Sequence, residues 1–405
     1  MRILHTADIH IGQTLYQNYS RTEEHLFFFS QIEEWIRNYK PEALVISGDV
    51  FDIQMPGITT KKFFNDFFVE LHRQFPELTI VISAGNHDSS SRLNADRMIW
   101  EAHNVHIIAT PPPPDLSRAR EKWQEDFIVR TEGGYIIALP FLPGERTEQI
   151  QFLLDYVNEE NSCNKPVVMT AHATVAGTDW TGHEFIGNVR TVEANAFGRG
   201  FDYLAMGHIH RPQTIGHLND VEEEVVTYPA PVIRYSGSPL RISCDEEYPH
   251  SVSLVDIDSH GGVVTVRQLF TEELLKFHTL PADGSSFTSF DETMEAIKAF
   301  AEQTQRGYFR VRIDIGADIP PDFNQNVYDI IESRPYVRYN PKIIWTGRKE
   351  QGIDIGETAV FEIADLQQMT DPLKFIERTI DRYPDISLDD IRIMFKEVER
   401  EIEGN

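Results

Sequence analysis

The stretch AMGHIHRP, residues 205–212, decides the reading of the chain. It closes the apolar run FDYLAM (201–206) with Gly207, two histidines two positions apart and Pro212. Imidazoles are general-purpose hydrogen-bonding groups and common metal ligands. The same grammar appears at four other strand-like runs. RILHTA (2–7) leads into Asp8-Ile9-His10, and EALVIS (42–47) into Gly48-Asp49-Val50-Phe51-Asp52. LTIVISA (78–84) leads into Gly85-Asn86-His87-Asp88, and KPVVMTA (165–171) into His172. In an open α/β sheet, ligands bind at the carboxyl edge, where these residues fall.

Side chains at i and i+2 of extended backbone share a face. Asp8 and His10 are therefore expected to face one cation, and His208 and His210 to face a metal pair together. Gly48, Gly85 and Gly207 are expected to turn the chain sharply where each strand stops. The donor set is imidazole, carboxylate and one amide, with no thiolate. That chemistry suits manganese, iron or zinc better than calcium. Seven candidate ligands, Asp8, His10, Asp49, Asn86, His172, His208 and His210, are too many for one ion. Two ions about 3.5–4 Å apart would use them, with Asp49 as the bridging carboxylate. Any one of these motifs is weak, since a strand-end histidine is usually a surface hydrogen-bonding group and Gly-Asn-His-Asp is good turn sequence. Five in this order carry the reading.

The remaining composition sets bounds. The chain has 405 residues, enough for two or three domains. No run approaches eighteen apolar residues, so no membrane span is expected, and MRILHTADIH lacks the apolar core of a signal peptide. Two cysteines, Cys163 and Cys244, make no disulfide framework and fit a reducing cytoplasm. The net charge of −27 opposes broad, unaided binding to nucleic acid.

Helices and strands alternate over the first hundred residues, which predicts a mostly parallel sheet covered on both faces. SRTEEHLFFFSQIEEWIRNY, TTKKFFNDFFVELHRQF and SRLNADRMIWEAH read as its helices, the first with a capping box between Ser20 and Glu23. After PPPP (111–114) the chain turns β-rich, with hairpins at Gly133-Gly134 and Gly261-Gly262. A helix-strand-helix-strand order from about 275 predicts a small second α/β unit. From about 350 a linker leads to two amphipathic helices.

The ordered motifs Asp-x-His, Gly-Asp-x-x-Asp, Gly-Asn-His-Asp, a lone His and Gly-His-x-His resemble the calcineurin-like metallophosphoesterases. MRILHTADIHIGQ, SGDVFD, AGNHDS, ALPFL, MGHIHRPQ and YSGSPL are similar to its branch of DNA nucleases that work with an SMC-like ATPase. The likeness is tight to about residue 245 and loose beyond. It implies an α/β, four-layer-type core of mixed β-sheets flanked by helices over 1–274, a small α/β capping domain over 275–348, and a linker with C-terminal helices over 349–405 that bind the ATPase. It assigns Asp8, His10, Asp49 and His210 to one Mn2+, and Asp49, Asn86, His172 and His208 to the other, with Mg2+ or Fe2+ as alternatives. His87 becomes the catalytic general acid or transition-state stabiliser, supported by Asp52 and Asp88. Asp52 stands where some relatives carry a second histidine, so its expected part is to orient a ligand or His87.

The implied activity is hydrolysis of DNA phosphodiesters in end processing, repair and recombination, as a 3'-5' exonuclease on duplex ends and an endonuclease on single strands. The implied assembly is a homodimer within a heterotetramer, cytoplasmic and without a membrane. The sequence has no P-loop, so ATP hydrolysis falls to the partner. Two rivals stand: a stand-alone phosphatase or cyclic-nucleotide phosphodiesterase, and a scaffold that has lost catalysis. His183 reads as a solvated loop histidine, and Arg211 as a phosphate clamp or a loop cap. Phe63, Phe64, Phe67, Phe68 and Leu71 form a helical stripe facing the core, with room for a subunit contact. Ile391, Met394, Phe395 and Val398 form a second stripe suited to docking on the ATPase.

Overall fold

The computed structural model describes residues 1–16, 19–113, 120–181, 191–217, 224–303 and 306–347. The β-branched runs Ala43–Ser47 and Thr79–Ser83 are buried at every position, as strands covered on both faces must be. With Arg2–Thr6 and Val105–Ile108 they form four adjacent parallel strands. Ser251–Ile257, Val263–Phe270 and Val225–Pro229 extend this sheet on the far side of Arg2–Thr6, all antiparallel. The seven-stranded sheet is thus mixed, where the alternation of the first hundred residues suggested a mostly parallel one; the late hairpin at Gly261-Gly262 supplies the difference.

A six-stranded sheet lies against it, in the order Gln213–Thr214, Val232–Tyr235, Tyr203–Gly207, Val167–His172, Tyr135–Ala138, Ile128–Arg130. Its four central strands are parallel. Side-chain alternation sorts the layers. Ile3, Val45, Val81 and Val255 face the second sheet, meeting Ile136, Val168, Tyr203 and Ala205 in one core. Leu4, Leu44, Ile46 and Ile82 face outward onto Phe28, Phe29, Ile32, Phe64, Phe68 and Leu71 of the helices Thr22–Tyr39 and Ile58–Gln74. Ile150, Leu153, Leu154 and Val157 of helix Thr147–Glu160 cover the second sheet from outside. Helix, sheet, sheet, helix gives the four-layer α/β arrangement.

The phenylalanine stripe faces inward. Phe64 and Phe68 are buried, and Phe67 stacks on Phe29 at 3.8 Å between ring centroids. The first helix lacks the expected capping box. It starts at Thr22, and Arg21 occupies the cap position without a side-chain cap bond. The Arg21 guanidinium is instead drawn inside by Glu24, at 3.0 and 2.7 Å, while Ser20 Oγ pairs with Thr22 Oγ1. The third expected helix is two short ones, Ser90–Leu93 and Arg97–Glu101, broken where Asn94 and Asp96 favour non-helical hydrogen bonding. Helix Arg120–Phe127, which follows the prolines, has no counterpart in the sequence reading.

Four strands, Phe277–Leu280, Gly307–Asp314, Val337–Tyr339 and Ile344–Thr346, form a separate parallel sheet. It has its own core, in which Phe309, Val311 and Ile313 meet Ile297 and Val327 of the helices Phe290–Gln303 and Phe323–Ile331. This unit docks on the first helix through Tyr308, whose hydroxyl donates to Glu24 Oε2 at 2.7 Å. The C-terminal linker and helices lie outside the described residues. Among the described residues, no helix is long and apolar enough to cross a membrane.

Phe68 is fully buried between Phe64 and Trp100. Phe68→Ala is expected to cost about 3–5 kcal/mol through lost burial and the cavity left behind. The denaturant midpoint of the first unfolding transition measures it, and an unchanged midpoint would show that this layer is not packed as described.

Candidate metal centre

The carboxyl ends of both sheets' parallel strands lie at one end of the sandwich, and all seven candidate ligands are there. Extended backbone is not what brings them together. Asp8, His10 and Asp49 have φ of 52°, 51° and 48°, and His208 has 97°. Four non-glycine residues in this rare region would each cost about 1–3 kcal/mol unless the surroundings hold them. Backbone bonds do so: the Asp8 N–H donates to Gly48 O, His10 N–H to Asp49 O and Ile11 N–H to Val50 O, at 2.8–3.0 Å. The glycines also divide their work. Gly48 has φ of 89° and turns the chain. Gly85 and Gly207 have no positive φ; they leave room. A Cβ on Gly85 would sit 2.0 Å from Asp49 Oδ1, and one on Gly207 1.8 Å from Ser47 O.

Ligand atoms gather into sets within 4.8 Å: Asp8, His10 and His210; Asp49, His172 and His208; and His10, Asp52 and His87. His208 and His210, neighbours in sequence, thus serve different sets. Asn86 Oδ1 lies 3.0 Å from both His172 Nε2 and His208 Nδ1. His172 Nδ1 donates to the Ser47 carbonyl at 2.9 Å, so in the neutral ring Nε2 carries a lone pair. That lone pair faces Asn86 Oδ1 and Asp49 Oδ2, the latter at 3.2 Å. Three acceptors converging in a buried place repel unless a proton or a cation lies among them. His10 tells the same story. It is 3% exposed, yet neither ring nitrogen has a hydrogen-bond partner; Asp52 Oδ1 approaches Nδ1 at 3.4 Å without hydrogen-bond geometry. The donors present fit divalent cations.

Electrostatics agree. Burial opposes a charge on His172, but the adjacent Asp49 carboxylate outweighs it and lifts the ring to about 9. Burial also opposes the charge on Asp49, yet His172 holds that carboxyl below its usual range. Burial pushes Asp8 up to about 7, assisted by the Asp49 charge, while His172 and His10 draw it down. Burial and His10 hold His210 well below its ordinary value, so it stays a neutral donor.

The supporting residues act through backbone. Asp88 is buried and its carboxylate accepts from the N–H groups of Val50, Phe51 and Gly85, at 2.8–3.1 Å, tying two ligand loops together. His87 is held twice: its N–H donates to Asp49 Oδ1 at 2.9 Å, and its Nδ1 to the Asp52 carbonyl at 2.8 Å. Asp52 therefore orients His87 with its main chain and faces His10 with its side chain. Arg211 is paired with Asp179 at 2.7 Å and lies over the Tyr248 ring. His183 lies outside the described residues. Glu246 escaped the sequence reading. It is buried and receives His210 Nδ1 at 2.6 Å, from 36 residues away and with no motif to mark it. A cavity of about 340 Å³, walled by Phe141, Leu142 and Phe197, opens beside Asn86, His172 and His208.

Two outcomes follow. Without a cation, Asp8 and His172 hold protons near neutrality, and a metal must displace them. Affinity for a divalent cation is expected to rise as pH increases from about 6 to 9, with protons released on binding. Calorimetry in buffers of different ionisation enthalpy reads both; pH-independent binding would show that these groups are not displaced. Asp88→Asn turns one acceptor oxygen into a donor facing an N–H group. It is expected to cost about 1–3 kcal/mol and to weaken metal binding, read by thermal melts with and without metal.

A family model described as calcineurin-like phosphoesterase matches residues 1–212. The chain is 31% identical over 318 residues to the SbcD subunit of the nuclease SbcCD from Rhodobacter capsulatus, covering 71% of this chain and 73% of that protein. It is 30% identical to the same subunit from Escherichia coli K12, with the same coverage. Identity to its Bacillus subtilis counterpart is 27%, over 63% of this chain and 66% of the relative. Two sheets whose carboxyl edges converge on buried aspartates and histidines, with these matches, place the chain in the calcineurin-like phosphoesterase family, among its SbcD-type members.

Proposed function

We propose that the chain is a two-metal DNA nuclease of the SbcD type, acting on duplex ends with 3'-5' polarity and on single strands endonucleolytically. The observation that carries this is the meeting of His172 Nε2, Asn86 Oδ1 and Asp49 Oδ2, with the buried His10 ring, neither nitrogen hydrogen-bonded, close by. Asp8, His10, Asp49 and His210 would hold one Mn2+, and Asp49, Asn86, His172 and His208 the other. When bound, such a pair supplies Lewis-acid polarisation of a phosphoryl oxygen and acidifies water towards neutral pKa.

The chain's own residues do the rest. Asp49 is kept ionised and so would be available to both cations at working pH. Ser47 O fixes the His172 tautomer, and Glu246 turns His210. The Asp52 carbonyl takes His87 Nδ1, leaving Nε2 to hold or give a proton to the departing oxygen. The neighbouring cavity gives a substrate access beside the second set.

The division into a nuclease domain over 1–274, a capping domain over 275–348 and a partner-binding segment over 349–405 belongs to the same proposal. So do an SbcC-like SMC ATPase as partner, a homodimer within a heterotetramer and a cytoplasmic setting. With a net charge of −27, the partner would also provide phosphate contacts that this chain cannot.

The test is cleavage of end-labelled linear duplex by the full chain, with and without SbcC, under Mn2+ or Mg2+. Metal-dependent shortening of the duplex is expected. Turnover of a phosphomonoester or cyclic nucleotide with the duplex left intact would favour a stand-alone phosphatase. His87→Ala is expected to bind metal normally and to lose cleavage by about 10²–10⁴-fold. Undiminished cleavage would remove His87 from the reaction.

A further inference from the structure

His210 donates to a carboxylate whose two chain neighbours are held from the small α/β unit. Glu246 is 1% exposed. Its Oε1 receives His210 Nδ1 at 2.6 Å, and its Oε2 accepts from the Ile242 N–H at 2.7 Å. With Nδ1 committed, Nε2 is the ring nitrogen His210 brings to Asp8 and His10. A carboxylate behind a metal-ligating histidine sets its tautomer and ring orientation and raises its basicity.

Glu246 sits in a segment without helix or strand, residues 241–250, held from within by short-range bonds such as its own N–H to Ser243 O at 3.2 Å and the Ile242 N–H to its carboxylate. Arg310 adds a hold from outside, from strand Gly307–Asp314 of the small unit. Arg310 is 5% exposed. It donates to Asp245 Oδ1 and, at 3.2 Å, to Glu247 Oε1, the residues on either side of Glu246. Its Nε is anchored on Thr279 Oγ1 at 3.1 Å, and Lys342 Nζ approaches Asp245 from the same unit at 3.5 Å. A guanidinium fork bridging two carboxylates fixes direction as well as distance.

We propose that Glu246 is the positioning residue for His210 and that Arg310 sets it through Asp245 and Glu247. The small unit then helps build a metal site to which it contributes no ligand. The inference rests on the two-ion reading above.

Manganese binding to the full chain, measured by calorimetry, tests it. The wild-type chain should take up two ions. Glu246→Gln should weaken one of them about 10–100-fold and spare the other. Arg310→Ala should weaken the same ion in the same direction, with Arg310→Lys between it and wild type. Should Arg310→Ala fail to fold, the double change Asp245→Asn with Glu247→Gln decides. It removes the same link at side chains 35% and 68% exposed. Arg306→Ala is the control: Arg306 pairs with Glu23 at 3.6 Å, also between the two units but on the first helix and not on this loop. It should leave both affinities unchanged. Folded Glu246 or Arg310 variants that load both ions as tightly as wild type would overturn the proposal. So would an equal loss in Arg306→Ala, which would show general docking at work. A wild-type chain that binds no manganese sinks the metal reading and this inference together; equal loading of wild type and variants sinks this inference alone.

Discussion

The structure depends on the close approach of the two sheets at their carboxyl ends. His172, leaving the second sheet, donates Nδ1 to Ser47 O in the first. His208 N–H meets both Asp8 carboxylate oxygens at 2.9 and 3.0 Å. These contacts require a bare backbone at Gly207 and Gly48, where a Cβ would strike Ser47 O or the His172 ring. The two layers of core behind them supply the force that holds like-charged groups together. Burying Asp8 and Asp49 without partners would be costly. The histidines offset that cost in part, and divalent cations would complete it.

Much of the site was legible because its chemistry is written at strand ends, where an apolar run stops and a polar residue must appear. Asp8, Asp49, Asn86, His172 and His210, which the fold brings together, were picked out as candidates by that rule alone. The geometric reason attached to it was wrong: Asp8 and His10 converge through left-handed backbone held by the neighbouring loop, a tertiary effect. Gly85 and Gly207 marked the right places for a different purpose, space instead of a turn. Glu246 was invisible, since an acidic residue in a loop looks solvated until the fold buries it.

The fold was readable to a similar depth. Five-residue β-branched runs announced the parallel strands, and the inward phenylalanines announced the helix layer. What local sequence could not show was which sheet each late strand joins. Ser251–Ile257 pairs with Arg2–Thr6 across some 250 residues of chain, a choice made by packing. Likewise the first helix starts at Thr22, with Arg21 at the cap position turned in to Glu24, a pairing that cap statistics do not contain.

The central claim is that these strand ends trap a pair of divalent cations. The most direct measurement is an anomalous difference map at the manganese edge from crystals grown in Mn2+. The account predicts two peaks about 3.5–4 Å apart, with an Asp49 oxygen between them. A map with no peak among Asp8, His10, Asp49, Asn86, His172, His208 and His210, in a chain folded as described, would contradict it.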